Sequence, residues 1–436
     1  MFGMAVLRVC AVLAVVLGLM GCSLLDAREQ LARIGGACVI SGTVGSNEGA
    51  DSLERTGPYV VAVFREPGAG AVVPEPADHV VSARGGSWFF ALEPGRYSVL
   101  AFRDEDGDRA HPAGAPVQHV AGGDSLDCGP GGRLTGIDIR VNGNDRLAHA
   151  IRLPDTRGPA DGAAPDAVPL SLGRVTAYGE IAHLDDPRFA TEVARGSQWR
   201  PLDFVLAGYA GVYFLEPYDP ARTPVLFVHG MNGSPRDFAG LLEALDHERY
   251  QPWFYYYASG LPLQSAAAHL AQVVEELEVR HGVESLPVVA HSMGGLVARG
   301  FLNERAQRGA AATVPAMITL STPWAGHERA QRGVDRSPVV VPVWRDMAPG
   351  SAYLEGLFAD AGAAATELHL LFGYQRGEGG ARATADGVLT LASMLHPPAQ
   401  REAASVFGVA ATHAGILSHP LVLERVDGLL SGVPGD

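Results

Sequence analysis

Hydrophobic and polar positions follow two different patterns along the chain. Between residues 38 and 141, short strand-like runs are separated by Gly, Pro and Asp at regular intervals. From residue 175 onwards, apolar runs of strand length alternate with helical patterns, of which 262–281 and 294–308 are the clearest. The first pattern predicts a small antiparallel β-sandwich. The second predicts a mostly parallel sheet with helices on both faces, which is the α/β class.

These patterns divide the chain into successive segments. Residues 1–21 contain Arg8 and an apolar run too short for a membrane span, so they are predicted to be an export signal. The further predicted segments are a tether at 22–37, the sandwich at 38–150, a linker rich in Pro, Ala, Gly and Asp at 151–172, and an α/β domain at 173–436 with a cap insertion at about 324–366.

One strand of the second domain ends in an unusual turn. The apolar run at 288–290 stops just before Ser292, and a helical pattern begins immediately afterwards. Ala290 and Gly294, two residues on either side of the serine, are small enough for the helix to fold back sharply against the strand. Such a turn holds the Ser292 hydroxyl at its tip, as in a nucleophile elbow. The alternative is a serine that caps an ordinary helix.

A second turn follows an earlier buried strand of the same domain. His229 and Gly230 end that strand, and the glycine lets the backbone turn tightly above Ser292. Preorganised backbone N–H groups stabilise the oxyanion that forms when an acyl group is attacked. The candidates for this oxyanion hole are the N–H groups of Met231 and Met293.

These residues carry a family resemblance. The runs Val228-His229-Gly230 and Ala290-His291-Ser292-Met293-Gly294-Gly295 resemble those of bacterial lipases and esterases with the α/β-hydrolase fold. The resemblance extends from about residue 175 to the C-terminus and departs from the commonest elbow only in having Ala290 where glycine is usual. It implies a triad in the order serine, acid, histidine.

The resemblance assigns the acid to Asp386 and the base to His413, each on a loop that follows a predicted strand. Rival residues remain: His419 for the base, and Asp346 or Asp360 for the acid. His419 precedes a proline and is expected to cap the last helix.

Two other histidines are expected to have structural roles. His229 is expected to brace the oxyanion turn by hydrogen bonding, and His291 to face the other side of its strand.

Composition excludes several classes of function. The formal net charge is −15, which argues against nucleic acid as a partner. The chain contains no lysine, so Schiff-base chemistry, a Ser-Lys dyad and a phosphate-loop lysine are excluded. The serine chemistry suggested by the motifs requires neither a metal nor an organic cofactor.

A cysteine follows the predicted export signal directly. The sequence Leu19-Met20-Gly21-Cys22 resembles the bacterial lipoprotein signal, which implies a lipid anchor on Cys22 in the cell envelope. Ser23, where an aspartate would imply retention in the inner membrane, favours the outer membrane. The alternative is a secretory signal with an incidental cysteine. Cys38 and Cys128 bracket the sandwich, and the sequence leaves open whether they form a disulfide.

The sandwich offers no catalytic group, but it contains an acidic loop. Residues 88–97 resemble a hairpin of transthyretin-like sandwiches. The loop carries Asp104, Asp106 and Asp108, whose alternating carboxylates are compatible with calcium. It lacks the distal glutamate of an EF-hand loop, so a solvated acidic turn is the favoured interpretation.

The sequence therefore predicts a serine hydrolase of the lipase or esterase type that cleaves carboxylic esters through an acyl-enzyme. Two alternatives stay open: an acyltransferase of the cell envelope with the same triad, and a non-catalytic binding or scaffold lipoprotein. The substrate's acyl chain and head group, movement of the cap as a lid, and the oligomeric state are not fixed by the sequence.

Overall fold

The computed structural model describes residues 24–46, 57–66, 74–141, 145–154, 170–308, 312–359, 365–375 and 386–432. The predicted export signal, Cys22, Ser23 and the rival acid Asp360 lie outside the described residues. No helix among the described residues is both long enough and apolar enough to cross a membrane.

Residues 38–152 form an all-β domain, as the alternating pattern predicts. Its strands are β1 Cys38–Gly45, β2 Tyr59–Arg65, β3 Glu75–Ser82, β4 Gly86–Leu92, β5 Gly95–Arg103, β6 Ala110–His111, β7 Pro116–His119, β8 Leu126–Cys128, β9 Arg133–Arg140, β10 Asp145–Arg146 and β11 Ile151–Arg152. They form one sheet in the order β4-β1-β9, another in the order β10-β7-β5-β2-β3 with β8 beside β5, and the pair β11-β6.

The sandwich is not purely antiparallel, so the prediction was wrong in this respect. Strand β1 pairs antiparallel with β4 but parallel with β9, and the second register shifts between Ile40 and Gly42. A Cβ at Gly42 would overlap the carbonyl group of Ile137, so the irregular pairing depends on glycine there. The buried aromatic residues Tyr59, Trp88, Phe90 and Tyr97 fill the space between the sheets.

A disulfide joins Cys38 on β1 to Cys128 on β8, with a Cα–Cα distance of 5.9 Å. Both cysteines are buried in the core of the sandwich. The cross-link spans 90 residues of chain and connects the two main sheets. Closing so long a loop restricts the unfolded chain and thereby stabilises the folded domain.

The segment expected to be a tether is helical at 24–36 (α1). Ala27 and Gln30 are buried, and the side-chain oxygen of Gln30 accepts a hydrogen bond from the backbone N–H of Asp203 at 2.9 Å. Arg33 forms an ion pair with Asp203 at 3.3 Å. This helix therefore packs against the second domain instead of acting as a free spacer.

In its described residues, the second domain has eight strands that form a single sheet. They are β12 Ala177–Ile181, β13 Gly211–Phe214, β14 Thr223–Val228, β15 Tyr250–Tyr256, β16 Val288–His291, β17 Ala316–Leu320, β18 Glu367–Gly373 and β19 Ala403–Val409. The helices are α2 Leu172–Val175, α3 Thr191–Gly196, α4 Pro201–Leu206, α5 Ala239–Ala244, α6 Leu263–His281, α7 Met293–Arg308, α8 Glu328–Arg336, α9 Pro342–Met347, α10 Ala352–Gly356, α11 Leu391–Met394, α12 Pro397–Glu402 and α13 Pro420–Ser431.

The strand order is β12-β13-β15-β14-β16-β17-β18-β19, and only the β13–β15 pair is antiparallel. The central strands are buried and mostly apolar because helices cover both faces. Helices α6 and α7 pack on one face, and α5 and α13 on the other. The parallel arrangement brings the carboxyl ends of β14, β16, β18 and β19 to the same edge of the sheet.

The sandwich packs on helix α6 through buried polar contacts. Glu275 accepts hydrogen bonds from the Ser82 hydroxyl at 2.7 Å and from the Ala83 backbone N–H at 3.2 Å. Glu276, one residue further on, forms a buried ion pair with Arg109 at 2.9 Å. Separating such a buried pair leaves an uncompensated charge, which is energetically costly. These contacts therefore hold the two domains in one arrangement.

We predict that His269 on α6 makes the protein sensitive to acid. Burial lowers its pKa to about 4 in the folded state, whereas an unfolded histidine titrates near 6.5. The stabilisation from keeping this ring neutral is complete above pH 6.5 and is lost as the pH falls. Between pH 6.5 and 5 one such group lowers the free energy of unfolding by about 2 kcal/mol.

Urea denaturation of the wild type and His269→Gln between pH 5 and 7 measures this effect. The variant should show a smaller loss of unfolding free energy on acidification, whereas His149→Gln, at an exposed histidine, should follow the wild type. Identical pH slopes for His269→Gln and the wild type would contradict the assignment.

Candidate active site

The turn between β16 and α7 adopts the conformation that the sequence predicts. Ser292 has a φ of 54°, in the left-handed region that non-glycine residues rarely occupy. Its backbone N–H donates to the carbonyl of Leu320 on the neighbouring strand at 2.8 Å, and α7 begins at the next residue. The fixed backbone therefore presents the serine side chain above the carboxyl edge of the sheet.

Glycines make the close approaches around this turn possible. A Cβ at Gly294 would overlap the carbonyl oxygens of Val228 and His229, so helix α7 lies directly against the end of β14. A Cβ at Gly230 would lie 2.9 Å from the Cβ of Ser292. The two turns thus meet at a distance that any larger residue would prevent.

The serine forms a hydrogen-bonded chain with the predicted histidine and acid. The Oγ of Ser292 lies 2.8 Å from Nε2 of His413, and Nδ1 of His413 lies 2.6 Å from Oδ2 of Asp386. A carboxylate can only accept, so Nδ1 carries the hydrogen and Nε2 is left to accept from the serine hydroxyl. The backbone N–H of His413 also donates to the carbonyl of Asp386 at 2.9 Å.

Asp386 is held in its charged form inside the protein. Burial by itself would raise the pKa of this carboxyl, but hydrogen bonding and charge interaction with His413 and two backbone N–H groups outweigh it and lower the pKa. The N–H groups are those of Val388 and Leu389, which donate to Oδ1 at 2.9 and 2.8 Å. Backbone N–H groups of the same loop thus occupy Oδ1 of Asp386, and Oδ2 faces His413.

The candidate oxyanion donors lie at the two turns. Met231 is in the turn after β14, and none of the hydrogen bonds found among the described residues involves its backbone N–H. Met293 is the first residue of α7, and a first helical N–H has no acceptor within its own helix. Both N–H groups are therefore available to an oxygen atom bound above Ser292.

His229 braces the first turn, as predicted. Its Nδ1–H donates to the carbonyl of Gly230 at 2.7 Å, and its Nε2 accepts from the backbone N–H of Tyr257 at 3.2 Å. Burial lowers the pKa of His229 to about 4, so the ring is neutral at pH 7. The Tyr257 hydroxyl donates to the carbonyl of His229 at 2.8 Å and completes the support.

Sequence reasoning missed a second support of the same turn. Asn232 has a φ of 58°; its N–H donates to the Ser259 hydroxyl at 2.8 Å, and its side chain to Gln198 at 3.0 Å. Ser259 and Gln198 are both buried. Neither belongs to a recognisable motif, and they meet the turn only through the tertiary fold. The one local signal of this support is Asn232 itself, which closely follows a strand and a glycine. Asparagine tolerates the left-handed backbone conformation better than most residues do.

The rival residues lie elsewhere. Asp346 accepts from the backbone N–H of Leu263 at 2.7 Å and makes no contact with His413 among those described. His419 occupies the N-cap position of α13, as expected, although its side chain makes no capping hydrogen bond. His291 does not face away from the site, contrary to expectation, since its Nε2 donates to the carbonyl of His413 at 2.9 Å.

The insertion at 324–366 forms helices α8, α9 and α10 in its described part. Its apolar side chains pack into the core beside α7, namely Val341, Val343, Met347, Leu354 and Leu357. These residues are therefore engaged in packing and do not form an open apolar surface.

A cavity of about 370 Å³ lies between α8 and the loop that carries Asp386, lined among others by His327, Arg329, Arg332, Val388 and Leu389. Ser292 does not line this cavity.

The second domain has the α/β-hydrolase fold, as its strand order and its elbow show. Ser292, Asp386 and His413 also follow one another in the chain order of that fold. Within this domain, residues 219–338 match the family model described as a PGAP1-like alpha/beta domain. This segment includes the first turn, the elbow and α8, and it ends before Asp386 and His413.

Several solved structures are similar to this chain. The mature form of the Bacillus licheniformis lipase BlEst2 is 20% identical, with a TM-score of 0.40 over 49% of this chain and 94% of that one. Aspergillus fumigatus lipase B is 17% identical, with a TM-score of 0.39 over 65% and 64% of the two chains. Phospholipase PlaB from Legionella pneumophila is 19% identical, with a TM-score of 0.30 over 40% and 45%. No curated protein matches the chain.

We predict that Gly294→Ala destabilises the protein, because the new methyl group would meet backbone oxygens that cannot move aside. Overpacking of this kind costs about 1–3 kcal/mol of unfolding free energy. Gly428→Ala in α13 is the matched control, since nothing lies within 4 Å of a Cβ there. Alanine at that exposed helical position should stabilise by about 0.5–1 kcal/mol. Urea denaturation that ranked the two variants in the opposite order would refute the steric account of the elbow.

Proposed function

We propose that this protein is a serine hydrolase that cleaves carboxylic esters, with Ser292 as the nucleophile. The observation that carries the proposal is the continuous hydrogen-bonded chain from Ser292 through His413 to the buried Asp386. Nucleophilic catalysis needs a proton acceptor beside the serine hydroxyl and a negative charge beside the other nitrogen of the imidazole. Nε2 of His413 and the carboxylate of Asp386 supply these two groups.

The first half of the reaction follows from these positions. His413 removes the hydroxyl proton at Nε2 as Oγ of Ser292 attacks the ester carbonyl, and Asp386 stabilises the resulting imidazolium. The carbonyl oxygen becomes negatively charged and accepts from the N–H groups of Met231 and Met293. When the tetrahedral intermediate collapses, the bond to the alcohol oxygen breaks, and His413 returns the proton to that oxygen. The acyl group remains on Ser292.

In the second half, water takes the place of the alcohol. His413 accepts a proton from the water as its oxygen attacks the acyl carbon. Collapse of the second intermediate releases the carboxylic acid, and the proton passes to Oγ of Ser292. Ester and lipid substrates are proposed from the resemblance of the two turns to those of lipases and esterases, because the triad itself serves ester and peptide hydrolysis alike. No cofactor takes part in any step.

We predict that Ser292→Ala and Asp386→Asn both remove most hydrolysis of p-nitrophenyl esters. Ser292→Ala lacks the attacking atom, and Asp386→Asn lacks the charge that fixes the His413 tautomer, so kcat should fall about 10⁴-fold. Asp346→Asn is the matched control: an amide oxygen can still accept from Leu263, and kcat should stay within about twofold of the wild type.

The assay is steady-state release of p-nitrophenolate, with circular dichroism spectra to show that each variant is folded. A large loss in Asp346→Asn together with near-normal activity in Asp386→Asn would reverse the assignment of the acid. Wild-type protein that releases no p-nitrophenolate from esters of any acyl length would contradict the proposed function.

We also propose that the protein is a lipoprotein of the bacterial envelope, anchored through Cys22 and exposed at the outer membrane. The support is the sequence Leu19-Met20-Gly21-Cys22-Ser23 after a short apolar run. Expression in bacteria fed radiolabelled palmitate should label the wild type but not Cys22→Ser. Equal labelling of the two proteins, or none of either, would contradict the anchor.

A further inference from the structure

The acidic loop of the sandwich brings three carboxylates together. Asp104, Asp106 and Asp108 follow β5 directly, and each contributes one oxygen to a group whose members lie within 4.8 Å of one another. Oxygens that bind the same calcium ion at 2.3–2.6 Å lie at most about 5 Å apart. The separation of these oxygens therefore fits a single ion.

The burial of Asp104 distinguishes this loop from an ordinary solvated turn. Only 4% of the residue is exposed. Its Oδ2 accepts from the Arg109 backbone N–H at 3.2 Å. Its Oδ1, among the described residues, is sealed from solvent without a hydrogen-bond partner. A buried polar atom left in this state is costly, and Oδ1 lacks a donor or a cation that would compensate for its burial.

The negative charges of the loop also favour a bound cation. Asp106 and Asp108 each place a carboxylate oxygen within 4.8 Å of one from the buried Asp104, which brings like charges together. An exposed ion pair joins Arg152 to Asp108 at 3.9 Å. A surface pair at that distance is worth little and does not reach the buried oxygen. A bound cation would relieve the repulsion among all three carboxylates at once.

The backbone resembles that of a calcium-binding loop. The three aspartates have the spacing of positions 1, 3 and 5 of an EF-hand loop, whose sixth residue is a glycine that makes a sharp turn. The sixth residue here is Arg109, which has a φ of 54°. Position 12 is Ala115 in place of the usual glutamate, so this loop provides fewer protein ligands than an EF-hand.

An arginine at the sixth position connects the loop to the other domain. Arg109 is 9% exposed, and its guanidinium pairs with Glu276 on α6 at 2.9 Å. Glu276 also pairs with Arg280 at 2.8 Å. The backbone of Arg109 is thus fixed by Asp104, and its side chain is fixed by the α/β-hydrolase domain.

We propose that Asp104, Asp106 and Asp108 bind one Ca²⁺ ion, and that the ion fixes the loop from which Arg109 reaches Glu276. Calcium suits the site because it accepts irregular oxygen coordination completed by water, whereas Mg²⁺ demands a near-ideal octahedron. Occupancy of the site then strengthens the contact between the sandwich and the α/β-hydrolase domain. Because the loop lies in the sandwich, this inference does not depend on the proposed esterase activity.

Isothermal titration of EDTA-treated full-length protein in detergent with CaCl₂ tests the site. The wild type should bind one Ca²⁺ per chain, and the ion should raise its Tm by several degrees. Asp106→Asn should weaken binding at least about tenfold without unfolding the protein, because Asp106 is exposed. Glu105→Gln is the matched control: it removes the same charge from the same loop at a residue outside the cluster.

Three outcomes would overturn the site: no binding by the wild type, unchanged affinity in Asp106→Asn, or equal affinity for MgCl₂. If Glu105→Gln weakened Ca²⁺ binding as much as Asp106→Asn, the effect would come from the loss of any negative charge in the loop. That result would also contradict the proposed site.

Hydrogen exchange tests the coupling to the second domain. Ca²⁺ should slow exchange of the α6 amides in the wild type at least about threefold. In Glu276→Gln the ion should still bind and should slow exchange only within the loop. If Ca²⁺ leaves α6 exchange unchanged in the wild type, or slows it equally in Glu276→Gln, the proposed link through Arg109 is wrong.

Discussion

The close approach of helix α7 to the end of β14 is the constraint on which the rest of the site depends. Gly294 lies directly against the carbonyl oxygens of Val228 and His229, and Gly230 lies against the side chain of Ser292. This packing forces Ser292 into the left-handed conformation, with a φ of 54°. Strain of this kind persists only where the surrounding structure imposes it. Here the surrounding structure consists of the buried parallel strands β14 and β16 and of helix α7, which follows β16 in the chain.

The same packing aligns the other groups. Because β16, β18 and β19 are parallel, the loops after them reach the same edge of the sheet. Asp386 and His413 therefore meet Ser292 although they are far apart in the sequence. Buried polar side chains fix each loop in turn: His291 holds the carbonyl of His413, and Ser259 holds Asn232 in the first turn. Buried hydrogen bonds thus hold the groups of the site in position, as electrostatic stabilisation of an oxyanion requires.

Much of this could be predicted from the sequence, because the relevant constraints are local. Continuous apolar runs predict buried parallel strands, and a serine between small residues predicts the elbow. Partners supplied by distant segments could not be predicted, since their positions depend on how the elements pack. Ser259, Gln198 and the burial of Asp104 belong to this group. The parallel pairing of β1 with β9 was missed because alternation within a strand does not reveal its neighbour's direction.

The central claim is that Ser292 is a nucleophile activated by His413. A fluorophosphonate probe forms a stable covalent adduct with such a serine, and mass spectrometry of proteolytic peptides locates the added mass. We expect one adduct per chain, on the peptide that contains Ser292, and none in Ser292→Ala. A wild-type protein that stays unmodified, or an adduct that persists in Ser292→Ala, would contradict the account.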